Sequence, residues 1–281
     1  MSTGLAIGLA LGTSCAWAAA NVYVQRASLA LGGLRAMWWG QVVGGAVLVV
    51  AALAFEGVPR LPGWGPLAMA GAGSAAGYYG MMRAYALGPV GAITPVLASW
   101  AVPATLLGAL LGKTPSSAQA LAGALVVLGA AGNGALARGG QWRGPRAKGF
   151  AWATVASLGF GTMMAGIGEM GNAVGPITVV PLCWLAQWAV LLPALVATPS
   201  ALRPPPAWRD VMLMALCESL GFVVYAVATT MAPPVIVSPP ASLSSPITVA
   251  FATLFLGERT SPARWFFVAL AGAGCMLLAQ S

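Results

Sequence analysis

The chain has 281 residues, 13 Lys and Arg, five Asp and Glu, no His, and a formal net charge of +8. Only 6% of residues are charged and 59% are hydrophobic, against about 25% charged in a soluble domain, so a soluble surface is excluded. The lack of His excludes histidine triads and histidine metal sites, and no Gly-x-x-x-x-Gly-Lys-[Ser/Thr] loop is present to make an ATP-driven pump.

The first apolar run begins near residue 4. It passes through Ala18-Ala19-Ala20, which resembles a signal-peptide cleavage site, but no cation precedes Arg26. A signal peptide needs a positive start, so the run reads as the first membrane helix. About 20 apolar residues cross the hydrocarbon core. Cutting at charges and prolines predicts ten spans, helices 1 to 10: roughly 4–24, 33–55, 64–87, 90–111, 116–136, 148–170, 176–197, 208–231, 234–256 and 262–280. The fold class is all-α integral membrane. Cys15, Cys183, Cys217 and Cys275 all fall inside apolar runs, without metal spacing, and read as free thiols.

Residues 138–148, RGGQWRGPRAK, form the longest polar stretch and read as a basic linker between two halves, 1–137 and 149–281. A shift of 145 residues places Pro89 on Pro234, Pro95 on Pro240, Ser99 on Ser244, Met69 on Met214 and Ser74 on Ser219. Five helices per half is odd, so the second repeat enters the membrane inverted. Inverted repeats around a central cavity predict a transporter with a midplane site.

Charge within a membrane is costly and usually has a purpose. Glu218 lies ten residues into helix 8, close to the midplane. It is the strongest candidate for binding a cationic substrate or coupling protons, because a carboxyl in low dielectric can exchange protons near neutrality. Glu169, near the end of helix 6, is the weaker coupling candidate. Glu56, Asp210 and Glu258 lie at span ends. Arg26 and Arg83 read as snorkelling cations, with capture of a substrate carboxylate as the other reading.

Prolines interrupt helix 4 at Pro95 and Pro103, and helix 9 at Pro239, Pro240 and Pro246. Each frees a backbone carbonyl, which membrane depth tolerates only inside protein or along a wet cavity. These five are the gating candidates. Substrate-binding candidates beside Glu218 are Trp17 and Asn21 on helix 1, and Gln41 and Gln187, which share a Trp-x-x-Gln pattern. Tyr78, Tyr79, Ser99, Trp100, Trp184, Ser242 and Ser244 complete the set. Together they suit a substrate with an apolar body and a polar or cationic head.

Assigning loops alternately puts 11 cations on one side and two, Arg60 and Lys113, on the other. The positive-inside rule makes the 11-cation side cytoplasmic and puts both termini outside.

Residues 242–279, SLSSPITVAFATLFLGERTSPARWFFVALAGAGCMLLA, with their Ser-Pro pair and Gly257-Glu258-Arg259-Thr260 turn, resemble the end of a drug/metabolite transporter domain of the EamA type. PVLASWAVPATLLGALLGKT (95–114) repeats the likeness more weakly, with Lys113-Thr114 where Glu-Arg is usual, and GLALGTSCAWAAANV (8–22) is similar to the family's first helix. The resemblance implies a ten-helix exporter or exchanger of small metabolites in the cell (inner) membrane. Its first four helices per repeat line the cavity, helices 5 and 10 lie outside, and both termini are cytoplasmic, against the charge count. Gly123, Gly129, Gly132, Gly134, Gly272 and Gly274 suit close helix packing, as a scaffold in preference to a homodimer contact.

The function read from this is secondary-active transport of small amphipathic metabolites, amino acids or amines, by alternating access. Neutral solutes (a sugar or nucleobase) and a lipid carrier are the alternatives. No enzyme, cofactor, metal or nucleic-acid role is indicated; protons are the candidate coupling ion and the lipid bilayer the surrounding partner.

Overall fold

A computed structural model describes residues 3–58, 61–110, 116–137, 145–170, 174–231, 237, 240–241 and 243–278. The described chain is helical, as the bilayer requires: a helix satisfies its own backbone where no water can. Helix 1 is Thr3–Leu31, helix 2 Gly33–Phe55, helix 3 Trp64–Leu87, helix 5 Ser117–Ala137, helix 6 Pro145–Met170, helix 7 Val179–Val196, helix 8 Arg209–Met231 and helix 10 Pro262–Leu278. Helix 4 is in two parts, Val90–Leu97 and Ala101–Leu110, joined by a 3-10 turn at Ala98–Trp100. Helix 9 is described over Ser244–Phe255.

Two boundaries differ from expectation. Helix 1 runs on to Leu31 and stops where Gly32 takes a positive φ of 79°, which leads directly into helix 2. The charged Arg26 is exposed and does not end the helix, because a long side chain can carry its charge outward. Pro145–Lys148, assigned to the linker, form the first turn of helix 6. Proline is at home there, since a first-turn N–H has no helical partner. The rest of the linker, 138–144, lies outside the described residues.

Among the described residues, five helices are long and apolar enough to cross a membrane on those grounds alone: 1, 2, 6, 7 and 8. Helix 3 is long enough but carries Ser74, Tyr78, Tyr79 and Arg83 in a Gly/Ala-rich run. Its compensation is burial, with twelve residues from Ala70 to Tyr85 inside the protein. Large apolar side chains such as Val50, Phe55, Leu110, Leu192, Leu254 and Phe266 point outward instead. That is the inverse of a soluble surface and suits contact with lipid.

Helix 3 packs on helix 6, and helix 8 packs on helix 1 in the corresponding way. Gly73, Gly77 and Gly80 let helix 6 approach at Gly159, Phe160 and Ala156. In the second pair, Gly221 of helix 8 leaves room for the Trp17 indole. Helices 3 and 7 pair as helices 8 and 2 do, and helices 5 and 10 pair with each other. At that last contact Gly129 faces Ala271 and Phe267, Gly132 faces Phe267, and Gly274 faces Ala122 and Val126. These glycines let helices 5 and 10 of the chain approach each other closely.

Candidate functional site

Glu218 is half-buried midway along helix 8. Tyr78 of helix 3 donates a hydrogen bond from its phenol to Oε1 of Glu218 at 2.6 Å. The Tyr78 ring sits edge-on between Phe160 of helix 6 (5.1 Å between centroids) and Trp184 of helix 7 (5.9 Å). Trp184 reaches Phe222 at 6.4 Å, and Phe222 meets Trp17 of helix 1 at 5.4 Å. Trp17 also lies against Tyr225 at 6.0 Å. Five helices thus contribute to a run of aromatic rings, the aromatic box, that meets the carboxylate through Tyr78.

Four candidates named from the sequence are brought together here: Glu218, Tyr78, Trp17 and Trp184. Phe160, Phe222 and Tyr225 complete the box and were not among them. Nothing in an all-apolar helix distinguishes a cavity-facing Phe from a packed one, so the sequence carried no signal for them. Asn21 lies one helical turn beyond Trp17, where its Nδ2 donates to Thr248 Oγ1 of helix 9 at 3.1 Å. Ser244 lies a turn earlier on helix 9, and its carbonyl accepts from Thr248 Oγ1.

Other candidates stand apart. Gln41 and Gln187 are buried and hydrogen-bonded to each other, with Gln187 Nε2 donating to Gln41 Oε1 at 2.7 Å. Ser74 Oγ donates to Gln187 Oε1 at 2.6 Å. This clasp ties helices 2, 3 and 7. Tyr79 is edge-on to Trp152 of helix 6 at 5.6 Å, and the exposed Arg83 guanidinium lies over the same indole at 5.9 Å. Ser99 Oγ and Ser157 Oγ are 2.8 Å apart. Trp100 ends the 3-10 turn, its carbonyl close to Gly161. Ser242, Pro239 and the side chain of Glu169 lie outside the described residues.

Among the proline candidates for gating, Pro95 has a described partner for the carbonyl it frees, and Pro240, Pro103 and Pro246 have described neighbours. Pro95 has no N–H for the Gly91 carbonyl, and Asn133 Nδ2 of helix 5 donates to that carbonyl at 3.1 Å. Ser14 Oγ of helix 1 lies 2.6 Å and 2.7 Å from the Pro240 and Ala241 carbonyls. Pro103 abuts Gly161, and Pro246 lies against Gly272.

Two span-end acids cap the starts of distant helices. Glu56 accepts from the Ile177 and Thr178 backbone N–H groups at 2.7 and 2.9 Å and from Thr178 Oγ1 at 2.6 Å, just before helix 7. Glu258 Oε2 accepts from the Gly91 N–H at 2.9 Å, at the start of helix 4. An acceptor oxygen suits both places because the first N–H groups of a helix are unpaired.

Comparison with known families decides the assignment. The EamA-like transporter family matches twice, over residues 4–134 and 147–280. The chain belongs to the EamA-like transporter family. It is therefore a membrane transporter of small solutes and not an enzyme. A solved crystal structure superposes on 98% of this EamA-like chain and 96% of its own, with a TM-score of 0.67 and 16% identity, a likeness of fold alone. No curated protein sequence matches.

Proposed function

We propose that this EamA-like protein is a secondary-active exporter or exchanger of small amphipathic metabolites bearing a cationic nitrogen, such as amines or amino acids. The observation that carries this reading is the Glu218 carboxylate, hydrogen-bonded by Tyr78, whose ring belongs to a run of touching aromatic rings with Phe160, Trp184, Phe222 and Trp17. A carboxylate supplies the counter-charge. The ring faces attract a cation electrostatically and shelter its apolar body, for about 0.5–2 kcal/mol per well-placed ring. Glu218 is also protonatable, so one group can hold either a proton or the cation. Mutually exclusive occupancy of that kind couples substrate movement to a proton gradient. Rocking of the two repeats about the site exposes it to each side in turn. The 11-cation side is the cytoplasmic side in this reading, with both termini outside.

The test is thermal unfolding of the purified protein with amines, quaternary ammonium compounds, amino acids, sugars and nucleobases. A ligand that binds only the folded state raises the melting temperature. Amines or amino acids should do so for the natural chain and fail to for Glu218→Gln. Stabilisation by sugars or nucleobases alone, unaffected by Glu218→Gln, would overturn the reading. Loss of a stabilising ligand only on delipidation would point to a lipid carrier.

A further inference from the structure

A second polar cluster lies away from the aromatic box, at the Lys/Arg-rich end of the bundle, and it grips one residue from both sides. Gly91, in the first turn of helix 4, gives its N–H to Glu258 in the turn between helices 9 and 10. Its carbonyl, left without a helical donor by Pro95, takes the Asn133 amide at 3.1 Å. Asn133 is fully buried and is itself held, because Arg264 Nε of helix 10 donates to its Oδ1 at 3.2 Å. Arg264 Nη1 donates to the Arg259 carbonyl at 3.1 Å, so the same guanidinium shapes the turn that presents Glu258. A side chain at position 91 would collide with Glu258 Oε2, 2.8 Å from where its Cβ would stand. Gly91 and Asn133 come from the first repeat, Glu258 and Arg264 from the second.

The gripped element is a short separate helix. Val90–Leu97 lies between Pro89 and the 3-10 turn at Ala98–Trp100, and a 3-10 turn within a span is a common place for a hinge. Val90, Ala92, Ile93 and Thr94 are buried, so the segment is packed into the interior at this end. Gln25 of helix 1 holds the chain just before this segment, donating to the Tyr85 and Gly88 carbonyls at 3.3 and 3.0 Å.

We propose that Gly91 is the catch of an inter-repeat latch, with Glu258 on one side and the Asn133–Arg264 pair on the other, and that this latch holds the Lys/Arg-rich end of the transport path shut. Access from that end then requires Val90–Leu97 to swing on the 3-10 turn and leave Glu258. Asn133 and Arg264 are positioning residues; they touch no substrate. The latch stands whatever the substrate is, because none of its members belongs to the Glu218 box.

Amide hydrogen exchange of the full chain in lipid nanodiscs tests it, comparing the natural chain with Glu258→Ala, Glu258→Gln and Asn133→Ala. Glu258→Ala and Asn133→Ala should each speed exchange over residues 88–97 by about tenfold, with the 256–264 turn following. Glu258→Gln should stay near the natural rate, since its amide oxygen still accepts from Gly91. The start of helix 7, capped by Glu56 in a separate clasp, should not change. Natural rates at 88–97 in both alanine variants, an equal acceleration in every helix, or no rescue by Glu258→Gln would overturn the latch. Asn133→Ala removes no charge and serves as the independent arm if Glu258→Ala fails to fold.

Discussion

The Tyr78 phenol, on helix 3, donates a 2.6 Å hydrogen bond to the Glu218 carboxylate on helix 8, 140 residues away in the chain. A hydrogen bond to a charged group is worth about 1.5–3 kcal/mol. Tyr78→Phe keeps the ring between Phe160 and Trp184 and removes only the donor. It should therefore weaken amine binding by about tenfold while leaving the melting temperature within a few degrees. Titration calorimetry and a thermal melt on the same preparation check this; unchanged affinity would mean that Tyr78 does not set the carboxylate.

Gly221 leaves the space that the Trp17 indole fills. Gly221→Ala adds helix propensity of about 1 kcal/mol, which would ordinarily stabilise helix 8. Here the new methyl must displace Trp17 from Phe222 and Tyr225. Lower stability and at least severalfold weaker binding of a quaternary ammonium probe are expected together. A more stable variant with full affinity would contradict the placement of Trp17.

The Gln187 clasp should behave as structure and not as substrate contact. Gln187→Leu leaves Gln41 and Ser74 buried without their partner, at about 1–3 kcal/mol for each unsatisfied group. The melting temperature should fall by several degrees with amine affinity unchanged. A selective loss of affinity in a stable variant would return Gln187 to the binding site.

Glu258 sets a pH dependence of stability. Burial pushes its carboxyl above the ordinary range, opposed by the Gly91 and Val90 N–H groups and by the Arg264 charge. A raised value means that its stabilising share is present below the ordinary carboxylate pKa, about 4.3, and is lost as pH rises through the higher folded value. Glu258→Gln cannot titrate. The melting temperature of the natural chain, taken relative to that variant, should fall as pH rises from the ordinary carboxylate pKa, about 4.3, through the higher folded value. A constant or rising difference would contradict the sign.

How much of this was legible in the sequence depends on rarity. Glu218 stood out because a carboxylate inside an apolar run is expensive, and Trp17, Tyr78 and Trp184 because large amphipathic rings at mid-depth are few. The residues that join them, Phe160, Phe222 and Tyr225, were not legible, since helices apolar all round carry no signal for which face turns inward. The Trp-x-x-Gln pattern gave the polarity of Gln41 and Gln187 but not their direction. They face each other. Glu56 and Glu258 read as acids at span ends, but their partners lie 121 and 167 residues away. Only the packing of one repeat against the other reveals them as caps. The proline pattern located the broken helix 4, and the structure added the donor from Asn133 that makes the break tolerable.

The measurement that tests the central claim most directly is uptake into proteoliposomes of an amine that stabilises the protein, driven by an imposed pH gradient, for the natural chain and Glu218→Gln at equal folded content. The account predicts gradient-driven uptake in the natural chain and none in Glu218→Gln. Full gradient-driven uptake by Glu218→Gln would contradict it, because Glu218 is the one carboxylate among the described residues of the aromatic box.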